Sequence, residues 1–294
     1  MYDKRVKFFY NLLDIFFSIV RLICKTHFIR TTKIDKRKKE CIIMGNGPSL
    51  RQLLKKYEDS IRDYDLIAVN FMGLYPEFST YKPEIYVLCD PAFWFSKDVD
   101  KTILKKVQDF YKHLALTVSW HIQLYIPYEA KKVVEIHKIL SSNTYIRIKY
   151  FNKTKFEGFS KINYWIYDRQ WGVPRLENVM IAALMLAIYS QYRKIFLAGV
   201  ENDWMRNLGV DEKNRLYIKQ THFYTDGNEQ NCQFLSHLKM HEICLSLSFA
   251  FKGYIEIEKY ARKCSIAIYN LNKDSFIDAF IKTAIIKKTG NDTK

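Results

Sequence analysis

Residues 40–50, ECIIMGNGPSL, set the first constraint on what this chain can fold into. A short apolar run, Cys41 to Met44, stops at Gly45-Asn46-Gly47-Pro48-Ser49, and an amphipathic helical pattern continues from Leu50 to Tyr57. Strand, tight glycine turn and helix start is an arrangement that cradles a phosphate. Glycines let the backbone approach an anion closely, and the N–H groups of a helix N-terminus point at it. The chain has only 10 glycines in 294 residues, so a pair two positions apart stands out. The turn is not GxGxxG, because Pro48 and Ser49 come after the second glycine, and not a P-loop, because no Gly-Lys-Ser/Thr is present. Read alone, it is either a nucleotide-type site or an ordinary capped strand-to-helix turn.

The rest of the chain alternates short apolar runs with helical stretches. Strands are expected over 41–44, 66–69, 85–89, 114–119, 195–198, 254–257 and 266–269. Helices are expected over 49–57, 100–111, 128–140, 177–189, 234–251 and 273–286. Such alternation predicts an α/β fold, a mostly parallel Rossmann-like sheet with helices on both faces. Segments 150–176 and 201–232 lack clear periodicity and read as lid or acceptor loops within a domain spanning 40–286, with 287–294 as a tail. Open α/β sheets bind ligands beyond the carboxyl ends of their strands. The residues at those ends are Gly45-Asn46-Gly47, then Asn70, then Asp90-Pro91, then Gly199 with Glu201-Asn202-Asp203. Each is a common turn former or helix cap; together they predict one polar crevice.

The charge asks for a partner: 47 Lys and Arg against 31 acids give +16. Residues 4–25, KRVKFFYNLLDIFFSIVRLICK, place Lys4, Lys7, Asn11, Asp14, Ser18, Arg21 and Lys25 on one polar stripe of a helix, with apolar side chains over the rest. Asp14 and Arg21 interrupt the apolar run, and no small-residue cleavage site comes after it, so a signal peptide and a spanning helix are both poor readings. The pattern predicts an N-terminal amphipathic helix in the plane of an anionic membrane surface, with residues 1–39 as the associating segment and the basic tract after the helix as reinforcement. The alternatives are docking on the domain's own core or on a partner subunit of a homo-oligomer. Nucleic acid is not expected, since no zinc-finger, RNP-like or basic-zipper pattern occurs. The six cysteines show no CxxC pair and no zinc spacing. They read as reduced thiols, which with the helix predicts a cytoplasmic protein peripheral to the inner face of the plasma membrane.

Several of these segments carry a family likeness. GNGPSL after the first strand, AVNFMGLY, LCDPAFWF, VMIAALMLAIYSQYRKIFLAGVEND and IAIYNLNKDSFIDAFI together resemble the bacterial lipooligosaccharide sialyltransferases of the Campylobacter and Haemophilus type and related polysaccharide enzymes. The likeness spans about residues 40–285 and is nearest at GNGPSL. It implies a GT-A-variant Rossmann-like fold and transfer of sialic acid from a CMP-sugar donor with inversion and no metal or other cofactor. The acceptor it implies is a glycan or glycolipid of the lipooligosaccharide or capsule kind. It would place Gly45, Asn46, Gly47, Pro48 and Ser49 along the CMP phosphate and ribose, with Asn70 on the same donor. Asp90 stands where the family has Asn, and Asn178 lies near its serine-bearing donor segment. Glu201 and Asn202 join this set through the strand-end reading.

The family's catalytic His lies four residues after the His of a Ser-His-Tyr segment. Here the segment is Thr221-His222-Phe223-Tyr224, and Asp226 occupies the fourth position. Either the base is His222 or Asp226, or the chemistry differs; a His near its reference pKa suits proton abstraction at neutral pH, and an Asp base is also workable. Tyr224 is a candidate hydrogen-bond donor to the leaving phosphate. Two rival classes share these residues. A diphosphokinase-like enzyme with a G-x-G-P-S-L turn would use ATP and magnesium, with Asp90 and Glu201 or Asp203 as ligands. A non-catalytic, membrane-associated nucleotide-binding module would retain the turn without turnover.

Overall fold

The computed structural model describes residues 4–28, 31, 33–95, 99–220, 231–235 and 238–285. At its centre lie eight strands: β1 (Glu40–Met44), β2 (Asp65–Val69), β3 (Ile85–Val87), β4 (Ile122–Pro127), β5 (Ile146–Phe151), β6 (Lys194–Ala198), β10 (Ala267–Asn270) and β11 (Ile281–Lys282). They form one sheet in the order β11-β10-β6-β1-β2-β3-β4-β5. Every pairing in this sheet is parallel. A second, antiparallel sheet holds β7 (Leu208–Val210), β8 (Leu216–Gln220) and β9 (Asn231–Phe234). The chain is thus α/β and Rossmann-like, with an added N-terminal helix, Lys4–Lys25.

The central strands read as near-continuous apolar runs because both faces are covered. Alternate residues divide between two cores: Cys41, Ile43, Ile67, Val69 and Leu197 face one, and Ile42, Met44, Leu66, Ala68 and Ala198 face the other. The first core takes the Val179–Tyr189 helix, whose VMIAALMLAI sequence is apolar all round because it is buried all round. The second takes the helices Leu50–Lys56 and Lys101–Thr117. The chain winds outward from β1 to β5, then returns to lay β6 on the other side of β1. That reversal opens a crevice beyond the ends of β1 and β6, the switch point where open α/β sheets bind ligands.

Several element expectations differ from the structure. Residues 114–119 finish the Lys101–Thr117 helix: Leu114 is buried while Leu116 is exposed, which is helical rather than strand spacing. Residues 254–257 lie inside the Met240–Lys263 helix, where Tyr254 and Ile257, three apart, are buried and Ile255 points out. The described residues of 273–286 hold no helix and carry β11. Among the described residues, the segments expected to be loops hold regular elements, the Ser160–Asp168 helix in one and β7 and β8 in the other. Strands β4 and β5 were not expected at all.

Described residues between 26 and 39 strap the N-terminal helix to the domain. Asn152 accepts the His27 N–H and donates to its carbonyl, and Lys149, almost fully buried, meets Asp35 at 2.9 Å. Buried Asp65 accepts the Arg37 and Lys38 N–H groups and the Tyr192 hydroxyl. The strap thus passes from the carboxyl end of β5, at Asn152, to the amino end of β2, at Asp65.

Candidate functional site

A cavity of about 370 Å³ opens beyond the carboxyl ends of the strands. Gly45, Asn46, Gly47 and Pro48 after β1 line it, as do Asn70 after β2 and Asp90 beyond β3. Asn178, Glu201 and Asn202 line it from the other side of the switch point. Ser49 stands behind this wall, with its hydroxyl accepting from Asn272 at 3.1 Å.

Three of the turn's N–H groups, those of Gly45, Gly47 and Ser49, are already engaged. Gly45 N donates to the Ala198 carbonyl at 2.8 Å and Gly47 N to the Gly199 carbonyl at 2.9 Å, which sews β1 to β6 past their last pleat. Ser49 N donates to Glu201 Oε1 at 2.8 Å. The anion seated at the start of the Leu50–Lys56 helix is therefore the protein's own carboxylate, favourably placed against the helix dipole. A side chain at Gly47 would overlap this carboxylate, and one at Gly45 would overlap the Gly199 carbonyl. Gly199 has φ +66, and a Cβ there would lie 2.6 Å from Leu50 Cβ. The two turn glycines thus answer to close packing, and Gly199 to a left-handed backbone. A phosphate in this cavity would lie in front of the turn, not in it.

The asparagines divide into committed and open groups. Asn70 adopts φ +45; its Oδ1 accepts the Cys89 N–H at 3.3 Å and its carbonyl receives the Tyr86 hydroxyl. Asn178 caps the Val179–Tyr189 helix, Oδ1 accepting from Met180 N at 3.0 Å. Fully buried Tyr254 bridges the wall: its hydroxyl donates to Asn178 Oδ1 at 3.2 Å and accepts from Asn202 Nδ2 at 2.7 Å. Burial pushes the Tyr254 phenol up to about 12, against the lowering effect of both asparagines, so it is neutral at physiological pH. Asn46 is different. Its Nδ2 reaches the Val69 carbonyl at 3.4 Å, and its Oδ1 is buried without a partner among the described residues.

Of the acids, Asp90 is exposed and accepts the Ala92 N–H at 2.9 Å as a cap. Glu177 pairs with Arg175 and accepts the Ser246 hydroxyl at 2.8 Å. Among the described residues no three His, Cys, Asp or Glu side chains form a metal-binding cluster. Cys89 also faces the cavity; burial pushes its thiol up to about 12, outweighing the nearby Lys153, so it is a thiol and not a nucleophile at neutral pH. Lys219, Trp204 and Asn207 complete the wall from the small-sheet side. The Lys219 ammonium makes no hydrogen bond or ion pair with a described residue. His222, Tyr224 and Asp226 lie outside the described residues. Sequence reading missed Lys219, Tyr254 and Glu177.

No family model matches the chain, and no curated protein sequence matches it. One solved structure, the MAf glycosyltransferase from Magnetospirillum magneticum AMB-1, is similar at 8% identity and a TM-score of 0.47, over 90% of this chain and 37% of that one. The chain spans little more than a third of that neighbour's length.

Proposed function

We propose that this chain is an inverting glycosyltransferase that moves a sialic acid or related acidic sugar from a CMP-sugar donor to a glycan or glycolipid acceptor such as a lipooligosaccharide or capsule precursor. The observation that carries the reading is the switch-point cavity, walled by asparagine amides and by Lys219, whose ammonium makes no hydrogen bond with a described residue. Amides suit the hydroxyls and base edge of a nucleotide, and Asn46 Oδ1, buried without a partner, is an acceptor that a ribose or cytosine donor would satisfy. Lys219 supplies positive charge for the donor phosphate and sugar carboxylate. The GNGPSL likeness selects CMP among nucleotides.

In this reaction the acceptor hydroxyl oxygen attacks the anomeric carbon from the face opposite the phosphate. The carbon–oxygen bond to CMP breaks, CMP leaves as the phosphate monoester, and the acceptor proton passes to His222 or Asp226. Lys219 neutralises charge developing on the departing phosphate. The reading requires no metal. One observation favours the ATP-and-magnesium alternative: Asp90, Asp203 and Glu201 line the same cavity.

Thermal shift against CMP, CDP, UDP, GDP and ATP, with and without magnesium, separates the two. A nucleotide at a hundredfold excess over its Kd adds about 2.7 kcal/mol to stability. Stabilisation by CMP without magnesium is the expected result. Stabilisation by ATP only with magnesium sinks the CMP reading. Transfer or hydrolysis of CMP-sialate then distinguishes an enzyme from a non-catalytic module.

A further inference from the structure

The Lys4–Lys25 helix sits on the domain the reverse of the usual way. The middle of its polar side faces inward: Ser18 is fully buried, donating to the Glu157 carbonyl at 3.1 Å and accepting the Glu157 N–H at 3.0 Å. Asn11 and Asp14 turn the same way, and Gly158 has no side chain because Ile15 and the Asn11 carbonyl press on its α-carbon. The apolar side faces out. Phe9, Phe16 and Ile23, seven residues apart in turn, are 60%, 61% and 67% exposed, with Phe8, Leu12, Phe17 and Val20 exposed between them. A soluble monomer rarely presents a contiguous apolar face of this extent without a partner for it.

We propose that this face inserts into the interfacial layer of an anionic membrane, with the helix lying flat and the domain held by its polar side. The inference is independent of what the switch-point cavity transfers. Two observations select lipid. The helix carries Lys4, Arg5, Lys7, Arg21 and Lys25 against the single acid Asp14, so charge gathers at both ends of the apolar face, where headgroups would lie. Exposed Phe28 stacks edge-on with Trp171, which meets exposed Trp165, and the Arg169 guanidinium lies 3.6 Å from the Trp165 ring centre. Tryptophan and arginine at the border of an apolar surface match the headgroup level of a bilayer. No described helix is long and apolar enough to cross a membrane. A second copy of the same chain fits less well, because its helix would bring a like charge to each end of the contact.

The test is co-sedimentation of the full chain with phosphatidylcholine vesicles, with and without phosphatidylglycerol. Strong binding to the anionic vesicles, weakened by salt and poor on neutral ones, is the expected result. Phe9→Glu and Phe16→Glu should each lower partitioning roughly tenfold or more, since each removes a buried aromatic from the layer. Circular dichroism and Tm should stay at the wild-type values, as both side chains are exposed. Lys4→Glu combined with Lys7→Glu should remove the preference for anionic lipid while leaving weak neutral binding. Unchanged partitioning of the phenylalanine variants overturns the proposal. So does a wild-type chain that binds no vesicle but sediments as a dimer which Phe16→Glu dissociates.

Discussion

The carboxylate of Glu201 packs on the α-carbon of Gly47 and holds the Ser49 N–H at 2.8 Å. Two distant segments meet there, the turn after β1 and the loop after β6, on either side of the switch point. Glu201 is anchored in turn: its carbonyl accepts the Phe276 N–H at 2.7 Å and the Ser275 hydroxyl at 3.1 Å. Glycine is required at 47 by this contact and not by backbone handedness, since the positive-φ glycines among the described residues are Gly158 and Gly199.

Gly47→Ala should therefore act first on stability. The added methyl overlaps the Glu201 carboxylate, so the loop must shift, at a cost of about 1–3 kcal/mol for overpacking. Glu201→Ala alone should also destabilise, because it uncaps the helix. The double variant should be less destabilised than the sum, because removing the carboxylate removes the clash. Urea denaturation of the four proteins measures the coupling. Strict additivity would mean that the two residues do not press on one another.

The sequence announced the switch-point wall but not its packing. Gly45, Asn70 and Gly199 each end an apolar run, and such ends can only lie along one edge of a parallel sheet. That Glu201 fills the helix start was not legible, because it depends on a contact across residues 47–201. The misread strands share one cause: short apolar runs do not reveal their period. YIEI at 254–257 alternates like a strand, yet it is one turn of a helix whose buried positions are three and four apart. With that helix expected to end at 251, Tyr254 could not be placed behind the cavity. Lys219 was hidden for a different reason, since β7, β8 and β9 are short strands of mixed composition that form a small sheet of their own.

Tyr254→Phe should loosen the wall. The hydroxyl joins Asn178 and Asn202, and its loss leaves the Asn202 amide buried without that partner. The cost of such an unsatisfied group is about 1–3 kcal/mol. A lowered Tm is expected, with weaker nucleotide binding once ligand conditions are found. An unchanged Tm would show that water replaces the hydroxyl at no cost.

Lys219→Met should separate binding from folding. The side chain is half-buried at the cavity and engages no described residue, so Tm should hold. A lost charge-assisted bond to a phosphate, worth about 1.5–3 kcal/mol, corresponds to roughly ten- to hundredfold weaker donor binding. Calorimetric titration of the variant with CMP reads this directly. Equal affinity would remove Lys219 from the donor site.

Cys89 offers a chemical probe of the same cavity. Its thiol, pushed up to about 12 by burial, favours the protonated form throughout the neutral range. Because only the thiolate is alkylated, its reaction with iodoacetamide at pH 8 should be on the order of a thousandfold slower than that of an ordinary thiol of pKa near 8.5. The rate should rise about tenfold per pH unit as long as the fold persists, since pH remains below the thiol's pKa. Peptide-resolved mass spectrometry tracks Cys89 beside the exposed Cys24 and Cys244, which serve as fast internal references. A bound nucleotide should slow Cys89 further by covering the cavity wall, and leave the two references unchanged. Labelling of Cys89 at the references' rate at pH 8 would show that the thiol is neither buried nor suppressed, and protection of all three thiols alike would point to a global change instead of a ligand in the cavity.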